Sequence, residues 1–299
     1  MTILVTGASG TVGSALVNRL VAAGHSPRVA SRKPAALSER WPGLDAVELD
    51  VLREPTLIPA LEGVRTAYYL VHSMEAAAEG DFSDRDANGA RNFAAAAKAA
   101  GVERVIYLGG LGDAGRGMSE HLESRQETGR ILAERGPELL EFRAAMVVSS
   151  ESASFQMLSD LVNRLPAMLV PRWVDTPSQP IALDDVLSYL VAALDVTLAS
   201  QRTLVEIGGP DVTTYREMIR MVAEQRGRKP LIIGVPILTP RLSSYWCGLT
   251  TSVPAALARP LIEGMTAPLL VKDDAAARIF PLVRPMPFKQ ALEHADANS

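Results

Sequence analysis

The stretch that decides the fold begins with Met1-Thr-Ile-Leu-Val-Thr-Gly7-Ala-Ser-Gly10-Thr-Val-Gly13. It ends with Val29-Ala30-Ser31-Arg32-Lys33. Apolar residues Ile3–Val5 predict a strand, Val12–Ala23 predict an amphipathic helix, and Arg28–Ala30 predict a second strand. A glycine-rich turn joins the first strand to the helix. This order is typical of a βαβ unit whose turn binds phosphate. Amides at a helix start attract an anion, and glycine lets the backbone approach it closely.

The glycines of this turn are spaced Gly-x-x-Gly-x-x-Gly, and serine stands where the more common Gly-x-Gly-x-x-Gly motif has its second glycine. We expect Gly7 to make the tight turn, Gly10 to admit a pyrophosphate, and Gly13 to let the helix pack on its strand. A tight turn without a ligand is the alternative, but the flanking strand and helix favour dinucleotide binding. The predicted phosphate-binding residues are Gly7, Ser9, Gly10, Thr11, Val12 and Gly13.

Three residues at the end of the second predicted strand bear on the choice of cofactor. At this point, about twenty residues past the turn, an acidic residue would bond the ribose 2′-hydroxyl of NAD. This chain has Ser31, Arg32 and Lys33 instead. A guanidinium can hold a phosphate through two parallel hydrogen bonds, so Arg32 favours NADP(H) over NAD(H). The alternative is a pair of solvated basic residues in a loop.

Composition limits the class of protein. The 299 residues, 47% of them hydrophobic, suffice for one large α/β domain or for a core with a smaller lobe. A net charge of −4 gives no reason to expect nucleic acid or an anionic membrane as a partner. The single cysteine, Cys247, excludes an internal disulfide and a cysteine-based metal cluster. His25, His72, His121 and His294 lack metal-ligand spacing, so we predict no metal site.

Targeting signals are not expected either. The chain begins directly with a strand and lacks the basic and apolar regions of a secretion signal. Its apolar runs are interrupted well before the ~18 residues that a membrane-spanning helix needs. We therefore expect a cytoplasmic protein without a transmembrane segment.

Strands and helices continue to alternate after residue 33. Further strands are predicted at Ala46–Leu49, Ala67–Val71, Arg104–Leu108 and Leu139–Val148. Helices are predicted at Leu57–Leu61, Asp84–Ala100 and Glu123–Arg135. Six strands that alternate with helices predict an α/β fold with a doubly wound parallel sheet of the Rossmann type, which binds ligands at the carboxyl ends of its strands.

The second half of the chain has a different pattern. It predicts a helix at Phe155–Asn163, a proline-rich loop from Pro166 to Pro180, and apolar helix with proline breaks over residues 237–271. Between them lie predicted helices at Asp185–Leu194 and Tyr215–Gln225 and strands at Thr203–Ile207 and Leu231–Val235. We therefore divide the chain into an NAD(P)-binding core, residues 1–150, and a small, mostly helical C-terminal substrate lobe, residues 151–299. The lobe contributes further strands and packs on the core as one compact unit.

Several motifs resemble the extended and atypical short-chain dehydrogenases/reductases. They are the glycine turn, Leu49-Asp50-Val51, Arg143-x-x-x-Val147 and Pro180-Ile181-x-x-Asp184-Asp185-Val186. Four more resemble the NmrA-like branch, in a bacterial subgroup described as NAD(P)-binding proteins or nucleoside-diphosphate-sugar epimerases. These are Tyr69-Leu-Val-His-Ser-Met74, Ser119-x-His121-Leu122, Pro171-Arg-Trp-Val174 and Thr251-Ser-Val-Pro254. The resemblance covers nearly the whole chain and implies little about substrate.

The resemblance also implies where the cofactor lies. Asp50 and Val51 would contact adenine, while Leu70, Val71 and His72 would line the strand end beside the ribose. Met146 and Val147 would lie against the nicotinamide. Each has a structural alternative, because the apolar residues could be sheet core and Asp50 could cap a turn.

The usual proton-transfer residues of this fold are missing. The resemblance implies Tyr-x-x-x-Lys on the helix after the fifth strand and a hydroxyl at the end of that strand. Here the strand ends in Gly109-Gly110, and the i, i+4 spacing is kept by His121 and Arg125. His121 could replace the tyrosine, with a pKa lowered by Arg125, and Arg125 could hold the ribose. Alternatively, His121 is a polar surface or helix-start residue and Arg125 pairs with a glutamate. Ser119 is a further catalytic candidate, able to bond a substrate oxygen.

The lobe is rich in apolar side chains, which favour a hydrophobic small-molecule substrate. The predicted pocket residues are Met118, His121, Phe155, Trp173 and Trp246. Lobe core or a homodimer face is the alternative for most of the apolar residues of the lobe. The apolar segment 237–271 could serve as a pocket lid, a dimer face or a membrane contact.

Two functions from different classes follow. The first is an NADP(H)-dependent oxidoreductase that acts on a hydrophobic carbonyl, enone or quinone, for which the cofactor carries the hydride chemistry. The second is a non-catalytic NAD(P)-binding redox sensor that regulates a partner, which the missing tyrosine favours. Epimerase chemistry with a retained cofactor is a weaker third option.

Overall fold

The computed structural model describes residues 2–72, 82–112, 118–235 and 250–297. Seven parallel strands form the central sheet in the order β11-β6-β5-β4-β1-β2-β3. These strands are β1 (Ile3–Thr6), β2 (Arg28–Ser31), β3 (Ala46–Glu48), β4 (Thr66–Tyr69), β5 (Arg104–Gly110), β6 (Glu138–Ala144) and β11 (Arg202–Ile207). Strand order reverses beside β1, as in doubly wound folds. The predicted α/β fold with a Rossmann-type parallel sheet is therefore confirmed.

Helices cover both faces of the sheet and build the rest of the molecule. In chain order they are α1 (Thr11–Ala22), α2 (Pro34–Arg40), α3 (Leu57–Leu61), α4 (Phe82–Ala99), α5 (Glu120–Arg135), α6 (Ala153–Arg164), α7 (Leu183–Ala192), α8 (Tyr215–Gln225), α9 (Ala255–Gly264), α10 (Ala275–Ile279) and α11 (Phe288–Ala297). None of the described helices is long and apolar enough to cross a membrane.

Two hydrophobic cores lie on opposite faces of the sheet, as the continuous apolar runs of its strands require. On β4, Tyr68 packs with α1 and α7 on one face, and its hydroxyl donates to the Leu190 carbonyl oxygen at 2.8 Å. The next residue, Tyr69, packs on the other face against Phe93 of α4. The alternation of side chains along a strand thus buries both tyrosines and fixes β4 at the centre of the sheet.

The second half of the chain supplies part of the sheet as well as a lobe. β11 pairs with β6, and α7 packs against α1. β7 (Val147–Val148) continues beyond β6 and pairs with β10 (Ile181–Ala182). The sheet therefore extends past residue 150 in the sequence, because its edge strand comes from residues 202–207.

The lobe has its own hydrophobic core, formed chiefly by α6, α8, α9 and α11. Beside them β8 (Ala167–Pro171) pairs in parallel with β13 (Leu231–Val235). The predicted loop from Pro166 to Pro180 was wrong at this point, because its prolines flank an edge strand rather than exclude one. Two further short strands, β9 (Pro177–Ser178) and β12 (Thr213–Thr214), form an antiparallel pair.

Candidate functional site

The glycine turn between β1 and α1 is held against the carboxyl end of β4. Gly7 has φ +63°, which favours glycine, and a Cβ atom there would lie 2.7 Å from the Leu70 carbonyl oxygen. A Cβ atom at Gly13 would lie 2.2 Å from the Gly7 carbonyl oxygen. Gly7 and Gly13 are thus required by close backbone packing, the role that the spacing predicts for them.

The start of α1 is open toward this turn. Gly10 is the N-cap residue, so no side chain caps the first amides of the helix, and the first turn carries no acidic residue. Thr11 donates its hydroxyl to the Glu151 carbonyl oxygen at 3.3 Å, which ties the turn to the chain beyond β7. Ser9 is exposed and Val12 packs at the edge of the sheet core. Free amides at a positive helix end suit a pyrophosphate.

The end of β2 presents the basic residues predicted to select the cofactor. Ser31 accepts a hydrogen bond from the Lys33 amide at 3.1 Å, while the Arg32 and Lys33 side chains are exposed. Among the described residues no carboxylate pairs with Arg32. The acidic residue opposite Ser31 in β3 is Glu48, which is paired with Arg53 at 2.6 Å. Arg32 is therefore available to a phosphate group.

Asp50 and Val51 follow β3 and form a tight turn. The Asp50 carboxylate accepts from the Leu52 amide at 3.0 Å, which is the capping role that we considered as the alternative to adenine binding. Val51 is buried, and a Cβ atom at Gly89 of α4 would lie 2.6 Å from its side chain. Contact of these two residues with adenine stays a prediction.

The end of β5 explains the missing hydroxyl. A Cβ atom at Gly110 would lie 2.6 Å from Leu122 Cδ2 and 3.9 Å from Arg125 Cβ. The first turns of α5 thus cross directly over this strand end. A serine or threonine at Gly110 would require the Leu122 side chain to shift, so a glycine suits the close approach of the helix.

Arg125 is buried and held on two sides. Its Nη2 donates to the Leu108 carbonyl oxygen, and its guanidinium lies 5.0 Å from the centre of the Tyr107 ring. The Tyr107 hydroxyl donates to the Arg125 carbonyl oxygen at 2.8 Å. Arg125 Nη1 is buried without a hydrogen-bond partner, and no carboxylate among the described residues forms a salt bridge with this guanidinium. The predicted alternative of a glutamate partner is therefore not what the described residues form.

Two histidines lie near this cation. His121 is in the first turn of α5, where Phe82 of α4 lies 6.5 Å from its ring and its Nδ1 is buried without a partner. Burial, then the Arg125 charge, then His72 lower the pKa of His121 to about 3. His72 follows β4 and is exposed. Desolvation by the surrounding protein, then the Arg125 charge, lower the pKa of His72 to about 4. At these pKa values both imidazoles are neutral at pH 7.

The serines of α5 have structural roles. Ser119 caps the helix by accepting from the Leu122 amide at 3.3 Å, and a Cβ atom at Gly264 would lie 3.4 Å from its hydroxyl. Ser124 donates to the Asp86 carboxylate at 3.4 Å. Ser119 Oγ thus serves as a helix cap under α9, and a catalytic role for its hydroxyl stays a prediction.

The predicted pocket residues separate into three groups. Met118 packs on Leu122 and Leu269 beside His121. Phe155 is 2% exposed within the lobe core, and its place in a substrate pocket stays a prediction. Trp173 is half-buried against Tyr215 with its Nε1 unpartnered. Trp246 and residues 236–249 as a whole lie outside the described residues.

Met146 and Val147 stand where the sheet meets the lobe. Met146 belongs to the lobe core and Val147 packs at the edge of the sheet core. Leu70 and Val71 are half-buried at the end of β4, and the Leu70 amide donates to the Thr6 hydroxyl at 3.2 Å. Leu70 and Val71 follow β4 at the switch point of the sheet, the place where doubly wound folds bind ligands, and Met146 and Val147 follow β6 on the same carboxyl-end edge.

Comparison with known proteins agrees with this geometry. The stretch from residue 7 to residue 137 matches the family model described as NAD(P)H-binding. This stretch, less than half of the chain, is similar to NAD(P)H-binding domains. It includes the glycine turn, the ends of β2 and β4, and the whole of α5. The resemblance to the atypical short-chain dehydrogenases/reductases is thereby confirmed for the fold.

Solved structures share the fold over almost the whole chain. A nucleoside-diphosphate-sugar epimerase from Staphylococcus aureus has a TM-score of 0.78 at 18% identity, covering 98% of this chain and 100% of that one. A Citrobacter triphenylmethane reductase complexed with NADP(H) has a TM-score of 0.77 at 15% identity, covering 99% and 100%. An NADPH-dependent quinone oxidoreductase from Escherichia coli, complexed with NADPH, has 0.74 at 20%, covering 98% and 99%. At these identities the likeness shows the fold.

One curated relative belongs to a larger assembly by its name. Subunit 9 of the NADH dehydrogenase [ubiquinone] 1 alpha subcomplex, a mitochondrial protein of Arabidopsis thaliana, is 26% identical over 205 residues. The match covers 65% of this chain and 51% of the relative, so the chain spans about half the length of the curated protein that it matches.

Proposed function

We propose that this protein is an NADP(H)-dependent oxidoreductase that acts on a hydrophobic carbonyl, enone or quinone. The observation that carries the proposal is Arg125, a buried cation with one unpartnered N–H at the carboxyl end of the sheet. Beside it stand two neutral imidazoles, at the edge where the fold places a nicotinamide. Reductases among the structural neighbours, for triphenylmethane dyes and for quinones, support the reaction class.

The residues present fit a phosphorylated dinucleotide. The free amides of α1 and the close-packed glycines suit the pyrophosphate, and unpaired Arg32 suits a 2′-phosphate. When bound, the cofactor supplies a hydride to the acceptor. Arg125 and His121 then orient the acceptor oxygen, and residues 151–299 form the substrate lobe that excludes water from it.

The preference for NADP(H) is tested by calorimetry with NADPH and NADH. We expect NADPH to bind at least about tenfold more tightly, because a guanidinium–phosphate contact is a charge-assisted bond. Arg32→Ala should remove the difference. Arg65→Ala is the matched control, since Arg65 is an exposed arginine paired with Glu103 at the opposite end of the sheet. Equal affinities in the parent chain would refute the role of Arg32.

A non-catalytic redox sensor is the second candidate. It is favoured by the occupied Ser119 hydroxyl and by the glycine at the end of β5, because the usual proton donors are absent from these positions. The relative from Arabidopsis, named as a subunit of an assembly, supports the same idea. Oxidation of NADPH by this protein with any quinone, enone or carbonyl acceptor, followed in absorbance, separates the two. Tight NADPH binding without oxidation by any acceptor favours the sensor.

A further inference from the structure

We propose that the acceptor of this site is a conjugated one, a quinone or an enone, whose negative charge after hydride transfer rests on an oxygen held by Arg125. This inference rests on the proposed oxidoreductase function and names the class of its substrate. It separates conjugated acceptors from simple ketones and aldehydes. The reduced form of a simple carbonyl is an alkoxide, which needs a proton as it forms.

The first step of the argument is the fixed position of the charge. The Tyr107 ring lies against the Arg125 guanidinium, and the Leu108 carbonyl oxygen accepts a hydrogen bond from Arg125 Nη2. Gly110 lies against the aliphatic part of the Arg125 side chain. Among the described residues Nη1 has no hydrogen-bond partner and no carboxylate forms a salt bridge with the guanidinium. A buried cation is costly when it lacks a counter-charge, and a ligand oxygen that becomes negative would offset that cost. Preorganised donors of this kind stabilise a developing oxyanion.

The second step concerns the proton donors around that cation, of which the described residues supply no strong acid. Desolvation and the Arg125 charge lower the pKa of His121 to about 3 and that of exposed His72 to about 4. The hydroxyl of Ser119 caps α5, and that of Tyr107 donates to a backbone carbonyl. Neutral His121 can still orient an oxygen by a hydrogen bond, but it is a poor acid. The site is therefore equipped to hold an anion and not to protonate an alkoxide.

The reaction balances without a protein acid. A hydride, with its two electrons, bonds to the β-carbon of an enone or to one oxygen of a quinone. The π electrons move to the remaining oxygen, which becomes an enolate or a hydroquinone monoanion beside Arg125. The nicotinamide is oxidised and the acceptor is reduced. Water protonates the delocalised anion after it leaves Arg125, so NADPH, one acceptor and one solvent proton give NADP+ and the reduced product.

A matched pair of acceptors provides the activity test. Cyclohexenone and cyclohexanone have the same ring, but the saturated ketone lacks the conjugated carbon. We expect NADPH oxidation with cyclohexenone, or with the quinone menadione, to be at least about a hundredfold faster than with cyclohexanone. Equal or faster turnover of cyclohexanone would overturn this inference and leave the oxidoreductase function standing. NADPH binding without oxidation by any acceptor would overturn both.

A spectroscopic test does not depend on turnover. The probe is 4-nitrophenol, added to the protein saturated with NADP+ at a pH below the phenol's own pKa in solution. We expect the bound probe to show the yellow phenolate band, because Arg125 favours the ionised oxygen. Arg125→Met should abolish the band and slow menadione reduction about a hundredfold, while Arg125→Lys should restore part of both.

The control is Arg130→Met, which removes an exposed arginine of the same helix that pairs with Glu127 and Glu134. It should keep both the phenolate band and the rate. Circular dichroism shows whether Arg125→Met is folded. If it is not, the assignment is judged from the phenolate band of the parent chain and from the persistence of that band in Arg125→Lys. A neutral bound phenol in the parent chain, or a band that survives Arg125→Met, would refute the assignment.

Discussion

The glycine turn and the start of α5 meet the same edge of the sheet but are built differently. In the turn, Gly7 and Gly13 bring backbone against backbone, and the ligand would be held by amides. At α5, Gly110 makes room for side chains, and Leu122 and Arg125 occupy the strand end. The glycine turn therefore has no room for a side chain at Gly7 or Gly13. At α5 we expect residues to be replaceable as long as helix and strand remain packed, because side chains rather than backbone atoms meet there.

This difference predicts unequal sensitivity to mutation. A backbone contact cannot move aside, whereas a leucine or arginine side chain can change its rotamer. Substitutions in the turn should therefore abolish cofactor binding together with stability. Substitutions around α5 should alter the acceptor chemistry while the cofactor is still bound.

The largest effect is expected for Gly13→Val. The new side chain would meet the Gly7 carbonyl oxygen, which a Cβ atom alone approaches to 2.2 Å. We expect a loss of about 3 kcal/mol or more in the free energy of unfolding, measured with urea, and no detectable NADPH binding by calorimetry. Gly43→Val is the control, because nothing lies within 4 Å of a Cβ atom at Gly43. Retained NADPH binding in Gly13→Val would show that the turn is not close-packed.

The fold could be read from the sequence because its signals are local. The helices at Leu57–Leu61 and Tyr215–Gln225 and the strand at Leu231–Val235 begin and end as predicted. The position of β11 as the seventh strand of the sheet was not assigned, since strand neighbours are set by packing far apart in sequence. The strand Ala167–Pro171 was missed because two prolines mask its apolar alternation.

Less of the candidate site could be read in this way. The i, i+4 spacing of His121 and Arg125 could be read from the sequence. In the structure both residues lie on α5, and the His121 pKa is lowered as that spacing predicts. Tyr107 was missed, because a buried tyrosine in an apolar strand looks like core. Its contact with Arg125 depends on how α5 crosses β5, which no spacing reveals. The use of Ser119 as a helix cap could have been read from the serine that directly precedes the acidic first turn of α5.

An effect of intermediate size is expected on the free energy of unfolding at acid pH, because of His121. Its folded pKa of about 3 lies below the ordinary value of 6.5, so the unfolded chain binds the proton more readily. Its neutral ring therefore contributes stability that is fully present above about pH 6.5 and is lost as the pH falls toward 3. Among the described residues, the charged or titratable groups that shift it are Arg125 and His72. His72 adds a lowering of the same sign.

His121→Gln removes this titration while it keeps a hydrogen-bonding side chain. We expect the difference in unfolding free energy between pH 7 and pH 4, measured with urea, to shrink by on the order of 2 kcal/mol. His25→Gln is the control, because His25 lies at the other end of α1, outside this cluster. An unchanged difference in His121→Gln would mean that the ring is not held neutral by its surroundings.

The smallest effect is expected when the hydroxyl of a single buried tyrosine is removed, and it differs between the two faces of the sheet. Tyr107→Phe keeps the ring against Arg125 but removes the hydroxyl that donates to the Arg125 carbonyl at 2.8 Å. Tyr68→Phe removes an equivalent buried bond, 2.8 Å long, to Leu190 on the opposite face of the sheet. Each variant should lose about 1 kcal/mol of unfolding free energy, since each leaves one buried carbonyl without its donor. Only Tyr107→Phe should also lower kcat for an acceptor with the KM for NADPH unchanged, because only that hydroxyl positions the helix turn that carries Arg125. Equal kcat values in the two variants would mean that the Tyr107 hydroxyl has only a structural role in the core. Arg125 would then be positioned only by the Leu108 carbonyl oxygen and by its contact with the Tyr107 ring.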